Sequence, residues 1–253
     1  PHLANDDWYV VPDNVAFDAD GHFTLLGRSD RIAKIEGKRI SLVGIEALLL
    51  QSGLVADVRV LQLESARDEI GAVIVPNENG WSVLRTAQTR GLRAKLDVLL
   101  NNSVERIAHP RRWRWVDALP VNDVGKTSNA AVLELFAAAG LHFPAVHVLE
   151  SSPDKVTFEL YVSPHLSAFD GHFPGIPVLA GVVQTDWAIC LARKAFGVDL
   201  QFDRMEAIKF LRVYQPGDLL TVELQWKAER RLLSFRFDSG STAHSSGRIF
   251  FKP

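Results

Sequence analysis

The sequence predicts an α+β fold, in which a small mixed half is followed by an antiparallel sheet wrapped around one central helix. The first half alternates short extended runs with helical segments. The second half instead holds strand-like runs around a single apolar helix at about 181–196. The two patterns meet at about 137–148, in a segment that contains Ala, Gly and Pro. We therefore expect two domains, at 1–138 and 143–253.

The first half is predicted to form a small sheet with helices packed on it. Asp20-Gly21 separates two apolar runs and is a hairpin signal. A helix is predicted at about 42–51, because Leu and Ile recur there every three or four residues. The other predicted elements are strands at 58–63 and 70–75 and helices at about 82–101 and 130–139, the last ended by Gly140.

The second half is organised around the helix that begins at Gly181. Gly197 follows the helix at a position where helices commonly end. The helix is apolar on almost every side, which is the pattern of a buried helix. The strand-like runs around it lie at 156–162, 205–214, 219–226, 232–237 and 247–251. These runs predict a sheet that wraps around the helix.

Composition and charge exclude several classes of protein. The chain has 253 residues, 47% of them hydrophobic, and a net charge of −2, so it lacks the basic excess of a nucleic-acid-binding protein. Cys190 is the only cysteine, which excludes a disulfide framework and favours an intracellular, cytoplasmic protein. No apolar run reaches the length of a membrane span. Because the chain begins with Pro1, we expect it to be a piece of a longer polypeptide.

The stretch from Asp170 to Asp186 carries the strongest chemical signal. His172 lies among glycines and prolines, and a neutral imidazole suits removal of the C2 proton from a 3-hydroxyacyl thioester. A carboxyl group in apolar surroundings suits protonation of the departing hydroxyl, and Asp186 lies inside the apolar helix. The backbone N–H of Gly181, free at the helix start, would stabilise the enolate oxygen. The three residues predict a dehydration site.

Residues 171–181 read Gly-His-Phe-Pro-Gly-Ile-Pro-Val-Leu-Ala-Gly and closely resemble the motif of the hotdog-fold 3-hydroxyacyl-ACP dehydratases. That family carries Glu or Asp fourteen residues after the histidine, at the place of Asp186, and the aspartate is more similar to the β-hydroxydecanoyl-ACP branch. The resemblance covers about 143–253 and departs at Ala180, where a proline is usual. It implies a homodimer whose sites each combine His172 of one chain with Asp186 of the partner subunit. It also implies an acyl carrier protein or CoA thioester as substrate and no cofactor.

Two motifs of the first half resemble the C-terminal lid domain of the acyl-AMP-forming ligases. Residues 27–46 read Gly-Arg-Ser-Asp-Arg-Ile-Ala-Lys-Ile-Glu-Gly-Lys-Arg-Ile-Ser-Leu-Val-Gly-Ile-Glu, and Leu-Pro-Val-Asn-Asp-Val-Gly-Lys ends at Lys126. The resemblance implies that the Lys126 ammonium contacts the carboxylate and α-phosphate during adenylation. It also implies AMP contacts by Asp13 and Arg28, a hinge at Asp30, and ATP, AMP and Mg²⁺ as ligands of the parent ligase.

The ligase pattern is incomplete in this chain. Val11-Pro12-Asp13 replaces the usual Thr-Gly-Asp, and Gly44 replaces the first Glu of the closing triplet. A ligase also needs a large domain with a Ser/Thr/Gly-rich phosphate loop, and the sequence contains no Gly-x-Gly-x-x-Gly or Walker-type loop. We therefore expect that the chain does not adenylate a substrate by itself.

Several alternatives remain open from the sequence. The second half is either a dehydratase, a thioesterase, or a module that only binds acyl chains or carrier protein while the parent polypeptide acts as a ligase. In the non-catalytic alternative, His172 is a hydrogen-bonded core histidine, and Asp186 is a helix cap or a member of a buried ion pair. The other histidines show no metal-ligand spacing, so no metal site is expected; surface or turn positions are expected for His2, His22, His142, His147, His165 and His244.

Two basic groups have a structural and a functional interpretation. The patch at 109–115, His-Pro-Arg-Arg-Trp-Arg-Trp, is expected to be a loop running into a strand rather than a nucleic-acid site. It is also a candidate contact for a CoA phosphate or an acidic carrier protein. Arg204, Lys209 and Arg212 either meet the phosphate of a phosphopantetheine arm or form a solvated strand face.

Overall fold

The computed structural model describes most of the chain. The described residues are 13–17, 22–28, 31–64, 68–122, 125–137, 140–169, 176–197, 201–217 and 219–252, with the backbone alone for 13–17 and 23–28. No helix within these ranges is long and apolar enough to cross a membrane.

The N-terminal half combines two paired-strand units with a three-stranded sheet. Its elements are β1 (Asp13–Phe17), β2 (Phe23–Arg28), β3 (Ile32–Ile35), β4 (Lys38–Ser41), α1 (Leu42–Gln51), β5 (Val55–Leu63), β6 (Glu69–Pro76), α2 (Glu78–Asn101), β7 (Arg112–Trp115) and α3 (Asn129–Glu134). β1 pairs antiparallel with β2 on either side of Asp20-Gly21, as predicted for a hairpin. β6 lies between antiparallel β5 and parallel β7. The predicted basic patch therefore does run into a strand.

The C-terminal half forms a six-stranded antiparallel sheet, with the long helix packed against it. Its elements are β8 (Ala145–Ser151), β9 (Lys155–Tyr161), α4 (Gly181–Phe196), β10 (Phe202–Phe210), β11 (Leu219–Lys227), β12 (Leu232–Ser239) and β13 (Thr242–Phe251). The strand order is β10-β13-β12-β11-β9-β8. Trp187 and Leu191 of α4 share a core with Val222 and Phe237 of the sheet. The predicted α+β fold, with a sheet around a central helix, is confirmed.

Some boundaries differ from the predicted ones, for local reasons. β8 was not predicted, because its residues from Val148 onward are exposed and show no apolar alternation. α3 ends at Glu134, before the predicted end at 139, since the chain turns back on the helix. A Cβ on Gly140 would lie only 1.5 Å from the Glu134 carbonyl oxygen. β10 begins and ends earlier than predicted, and its register against β13 shifts near Ala207, which has a φ of 53°.

The two halves pack against each other through a shared apolar core. Leu61 and Phe136 of the N-terminal half belong to the same buried cluster as Phe158 and Trp187 of the C-terminal half. Burial of large apolar side chains contributes about 1.5–3 kcal/mol each. The halves are therefore held together by the same force that stabilises each of them.

Polar contacts also cross between the halves. The Arg85 guanidinium of α2 donates from Nε to both carboxylate oxygens of Glu159 on β9, at 3.0 and 2.8 Å. The Glu159 side chain is only 8% exposed, so this carboxylate depends on its partner. The rings of Trp81 and His147 stack nearby, with centroids 5.0 Å apart. These contacts orient one half on the other.

We predict that Glu159→Gln lowers the free energy of unfolding by about 1–3 kcal/mol, because a buried charge-assisted hydrogen bond is lost. Glu223→Gln is the matched control, since Glu223 pairs with Lys155 on the same sheet but is 49% exposed; it should change stability by less than about 0.5 kcal/mol. Urea unfolding followed by circular dichroism measures both. Equal effects of the two substitutions would contradict the importance of the contact between the halves.

Candidate active site

The helix α4 carries the part of the candidate site that the structure describes. It spans Gly181–Phe196, as predicted, and Gly197 follows in the left-handed conformation with a φ of 61°. Glycine adopts this conformation without the steric cost that a side chain imposes. The two flanking glycines thus fix where the helix starts and stops.

Buried hydrogen bonds hold the start of α4 in place. Gln184, in the first turn, donates from Nε2 to the Leu179 carbonyl oxygen at 3.1 Å. Its Oε1 accepts from the Ser245 hydroxyl of β13 at 2.5 Å, and both side chains are buried. The Leu179 N–H in turn donates to the carbonyl oxygen of Tyr214 at 3.0 Å. The segment entering the helix is therefore tied to β13 and to the segment that follows β10.

His244 of β13 also helps to hold the segment around Tyr214, which contacts Leu179. Its Nδ1 lies 3.1 Å from the Arg212 carbonyl oxygen, and its Nε2 lies 2.7 Å from the Ser239 hydroxyl. Because a carbonyl oxygen only accepts, Nδ1 carries a proton and donates it to the carbonyl oxygen of Arg212, while Nε2 shares a hydrogen bond with the Ser239 hydroxyl. The ring also meets Tyr214 edge-on at 5.2 Å. The expectation of a surface or turn position is wrong for His244, which is 5% exposed and serves as a structural histidine.

Gly181 presents its backbone at the N-terminus of α4. The preceding residue, Ala180, provides no side-chain cap. Within the described residues, the amides of Gly181 and Val182 have no hydrogen-bond acceptor, and the helix dipole lies behind them. The ring of Phe210 lies over this position, and a Cβ on Gly181 would come within 2.4 Å of it. Only glycine fits here without displacing the ring. The amide assigned to an oxyanion from the sequence thus lies at the predicted helix start.

Asp186 is exposed in the single chain. The prediction that α4 is buried on every side is therefore wrong for one chain taken alone. Val182, one turn earlier on the same face, is 71% exposed. The opposite face, with Trp187 and Leu191, fills the core instead. Burial raises the pKa of the Cys190 thiol, and the charge of Asp186, one turn away, raises it further. One chain alone therefore does not supply the apolar surroundings expected for the acid.

The exposed face of α4 continues into an apolar edge of the sheet. Within the described residues, β10 hydrogen-bonds to β13 alone and leaves its other edge unpaired. Large apolar side chains on and after this strand are 45–69% exposed: Phe202, Met205, Phe210, Leu211 and Val213. An uncovered apolar edge strand of this kind is typical of an interaction surface.

Arg204, one of the basic residues named as a candidate phosphate contact from the sequence, already pairs with two neighbouring carboxylates. Arg204 donates to Asp203 at 2.8 Å and to Glu206 at 3.1 Å, and its guanidinium lies 4.0 Å from the Phe250 ring centroid. These contacts favour the solvated strand face over a phosphate contact for Arg204.

Two predicted site residues, His172 and Asp30, lie outside the described residues. Asp13 and Arg28, assigned to AMP from the sequence, are directly opposed across the β1–β2 pair, at its open end. The described residues contain no group of three His, Cys, Asp or Glu side chains that could hold a metal ion.

Lys126 lies in a tight turn of the N-terminal half. Val121 and Thr127 form a β-bridge that closes the turn, and Gly125 has a φ of 74°. Asn122 binds Lys126 twice: its N–H donates to the Lys126 carbonyl oxygen, and its Oδ1 accepts from the Lys126 N–H, both at 2.9 Å. The Lys126 side chain itself is exposed. The turn fixes the backbone at Lys126 and leaves its side chain exposed, where another surface can reach it.

The ligase-like motif also contains a structural pair that sequence reasoning missed. Glu46 of α1 forms a salt bridge with Arg31 and accepts from the Val60 N–H at 2.8 Å. Arg31 completes the group by donating to the Val60 carbonyl oxygen at 2.9 Å. This buried group joins α1 to β5. Both charged residues are visible in the motif, but the motif does not show that the backbone of Val60 on β5 binds both of them.

Comparison with known proteins gives separate matches for the two halves. The model of the ApeI-like family (ApeI dehydratase) matches residues 147–248. In the dehydratase heterocomplex ApeI:P from Xenorhabdus doucetiae, one chain is 32% identical over 44% of this chain and 98% of its own length, with a TM-score of 0.42.

The first half matches ligases. Acetyl-coenzyme A synthetase of Pasteurella multocida is 31% identical over 121 residues, which is 47% of this chain and 18% of the synthetase. 3-Hydroxybenzoate–CoA ligase of Aromatoleum sp. is 31% identical over 139 residues, which is 54% of this chain and 25% of the ligase. The chain thus spans a quarter or less of the length of these relatives. Residues 147–248 thus match the ApeI-like dehydratase family, and the first half of the chain is similar to parts of AMP-forming acyl-CoA synthetases and ligases.

Proposed function

We propose that the C-terminal domain, residues 143–253, dehydrates 3-hydroxyacyl thioesters carried by acyl carrier protein or CoA to trans-2-enoyl thioesters. The observation that carries the proposal is the geometry of α4. Gly181 begins the helix with an uncapped amide, and Asp186 follows on its exposed face. Both belong to a motif that also contains His172, in a part of the chain related to a dehydratase.

The proposed reaction needs a base, an acid and an anion donor. His172 takes the C2 proton on its imidazole nitrogen, and the electrons of the C–H bond form the C2–C3 double bond as the C3–O bond breaks. Asp186 gives its proton to the departing hydroxyl, which leaves as water. The Gly181 N–H donates to the thioester oxygen, where negative charge develops. The proton on His172 then returns to Asp186 through solvent, and the site is restored.

We further propose that the active form is a homodimer in which a second chain covers β10 and the exposed face of α4. Val182 and Phe210 are 71% and 55% exposed in one chain, and both lie beside Gly181. A partner on this surface buries these groups and takes Asp186 out of water, which favours the protonated carboxyl that the acid step requires. Each site then combines His172 of one chain with Asp186 of the partner subunit.

We predict that His172→Ala and Asp186→Asn each reduce enoyl-thioester formation by about 10²- to 10⁴-fold, because each removes a proton-transfer group. The assay follows the enoyl chromophore after a 3-hydroxyacyl-ACP is mixed with the chain. Matched controls are His142→Ala and Asp154→Asn, which alter an exposed histidine and an exposed aspartate elsewhere. Wild-type rates in either site variant would refute the assignment, and release of free thiol without enoyl product would indicate a thioesterase.

The same two variants test the shared site. When His172→Ala and Asp186→Asn chains are co-expressed with different tags and purified as mixed dimers, one of the two sites contains both native groups. We expect about half of the wild-type activity per dimer. A site built within a single chain would leave the mixed dimer inactive, and that result would contradict the proposed arrangement.

We predict that Gly181→Pro lowers kcat about 10²- to 10³-fold relative to Gly181→Ala, because proline removes the N–H donor. Both substitutions add a Cβ against Phe210, so the alanine variant controls for displacement of that ring. Proline is tolerated in the first helical position, and Ala180 already has the extended conformation that proline requires before it. Equal rates for the two variants would exclude the amide as the oxyanion donor.

For the N-terminal domain, residues 1–138, we propose the role of a ligase lid that acts in a longer polypeptide. Lys126 would contact the carboxylate and α-phosphate during adenylation, with Asp13 and Arg28 at AMP, Asp30 as the hinge, and ATP and Mg²⁺ as ligands of the parent. Support comes from the tight turn that exposes Lys126 and from the ligase relatives of this half.

We predict that Lys126→Ala in the parent polypeptide reduces carboxylate-dependent ATP–pyrophosphate exchange by about 10²-fold or more, as expected for loss of a charge at the reacting phosphate. Dehydration of a supplied 3-hydroxyacyl thioester should be unchanged. Lys95→Ala, an exposed lysine of α2, is the control. Exchange at the wild-type rate in the Lys126 variant would indicate a lid retained only as a folding or docking unit.

A further inference from the structure

A basic cleft lies where the two halves meet. It has a volume of about 550 Å³ and is bounded by α2, by β7 with the residue before it, and by the end of β9. Five of its lining residues are arginines: Arg90, Arg93, Arg111, Arg112 and Arg114. Tyr161, Ser163 and His165 complete it from the C-terminal half. No carboxylate lines the described part of this cleft.

The floor of the cleft holds a buried charge. Arg114 is 5% exposed and donates to the backbone carbonyl oxygens of Leu135 at 2.8 Å and Trp113 at 3.1 Å. Among the described residues, no carboxylate pairs with it. Burial, followed by the charge of neighbouring Arg112, lowers the pKa of Arg114. Arg112 itself has its closest described carboxylate, Glu69, at 4.0 Å. The positive charges of these two adjacent guanidinium groups are thus only weakly neutralised by carboxylates.

The rim adds further positive charge. Arg90 and Arg111 are exposed, and no described side chain forms an ion pair or hydrogen bond with either of them. Arg93 pairs with Asp97 at 3.4 Å and lies 5.8 Å from the centroid of the Trp113 ring. Counting Glu69 and Asp97 as partners, the five arginines still exceed nearby acids by three charges. This excess stands out in a protein whose net charge is −2.

We infer that this cleft binds a small phosphorylated ligand that carries two or more phosphate charges. Guanidinium groups present paired N–H donors that match phosphate oxygens, and such charge-assisted bonds are the strong ones. A ligand phosphate supplies the counter-charge that Arg112 and Arg114 lack, while Arg90 and Arg111 hold it at the rim. The Tyr161 hydroxyl, which hydrogen-bonds to Thr89 and Ser163, adds a neutral polar wall.

The shape of the cleft favours a small molecule over a macromolecular surface. The buried charge of Arg114 lies at the floor with the partly exposed Arg112 beside it, and the two guanidinium groups donate to the backbone carbonyl oxygens of Leu135 and Phe136. A protein or nucleic-acid surface reaches the rim of a cleft more readily than its floor. The site involves neither His172 nor Asp186, so the inference goes beyond the proposed dehydration and does not depend on it.

Isothermal titration of the 253-residue protein at low ionic strength tests the inference. The probes are inorganic pyrophosphate and adenosine 3′,5′-bisphosphate, with adenosine as the uncharged comparison. We expect both phosphorylated probes to bind, adenosine not to bind, and the Kd to rise about tenfold or more in the double variant Arg90→Gln/Arg111→Gln. Arg39→Gln/Arg230→Gln, a pair of exposed arginines outside the cleft, should leave the Kd unchanged.

A second readout localises the ligand without any substitution. Burial and the charges of Arg114 and Arg112 lower the pKa of His165, so an anion bound to those arginines should raise it, as followed by NMR of the imidazole. Tyr161, Arg90, Arg93 and Arg111 are the other charged or titratable groups that line the described part of this cleft. Absence of binding by both phosphorylated probes, equal losses in the two double variants, or binding of an acidic carrier protein alone would overturn the inference.

Discussion

The hydrogen bond between Ser245 and Gln184 is the contact on which the candidate site depends. It joins β13 to the first turn of α4 inside the core, where neither side chain reaches water. The same Gln184 amide binds the Leu179 carbonyl oxygen, so one side chain fixes both the helix and the segment that enters it. Losing either partner would leave a buried polar group unsatisfied, which costs more than the bond itself contributes. The position of the Gly181 amide follows from this arrangement.

The same helix is anchored on one face and incomplete on the other. Trp187 and Leu191 fill the core, while Val182 and Asp186 face outward beside an unpaired sheet edge. An apolar surface of this size is unfavourable in water. A carboxyl group in contact with water also lacks the desolvation that favours its protonated form. Both the stability of this surface and the proposed acid step of Asp186 therefore favour a partner that covers this face.

The sequence predicted the helix and most strands, because their signals are local. Gly181 and Gly197 mark the ends of α4, and the strands of the large sheet alternate or run apolar. β8 was missed because most of its residues are exposed at the edge of the sheet. Asp186 was expected to be buried, because apolar periodicity does not distinguish burial within one chain from burial between two chains.

The same limit applies to the site residues. The motif identified Gly181, Asp186 and His172 together, but only the first two lie in the described part of the chain. The basic patch at 109–115 was visible in the sequence, yet its surroundings were not. Residues from α2 and β9, far apart in the chain, complete the arginine cleft. Local patterns thus located the candidate residues, and long-range packing decided what surrounds each of them.

The shared core has a consequence for the proposed rotation of the lid about Asp30. Every described element after that residue belongs to one of two halves joined through Leu61, Phe136 and Phe158. Separating the halves would expose this apolar surface, at a cost of about 25 cal/mol per Å², and would leave buried Glu159 without Arg85. A rotation at Asp30 therefore costs less when the whole six-stranded sheet moves with the lid. In such a movement the Lys126 turn, the arginine cleft and α4 keep their mutual positions, and it is their placement against the rest of the polypeptide that changes.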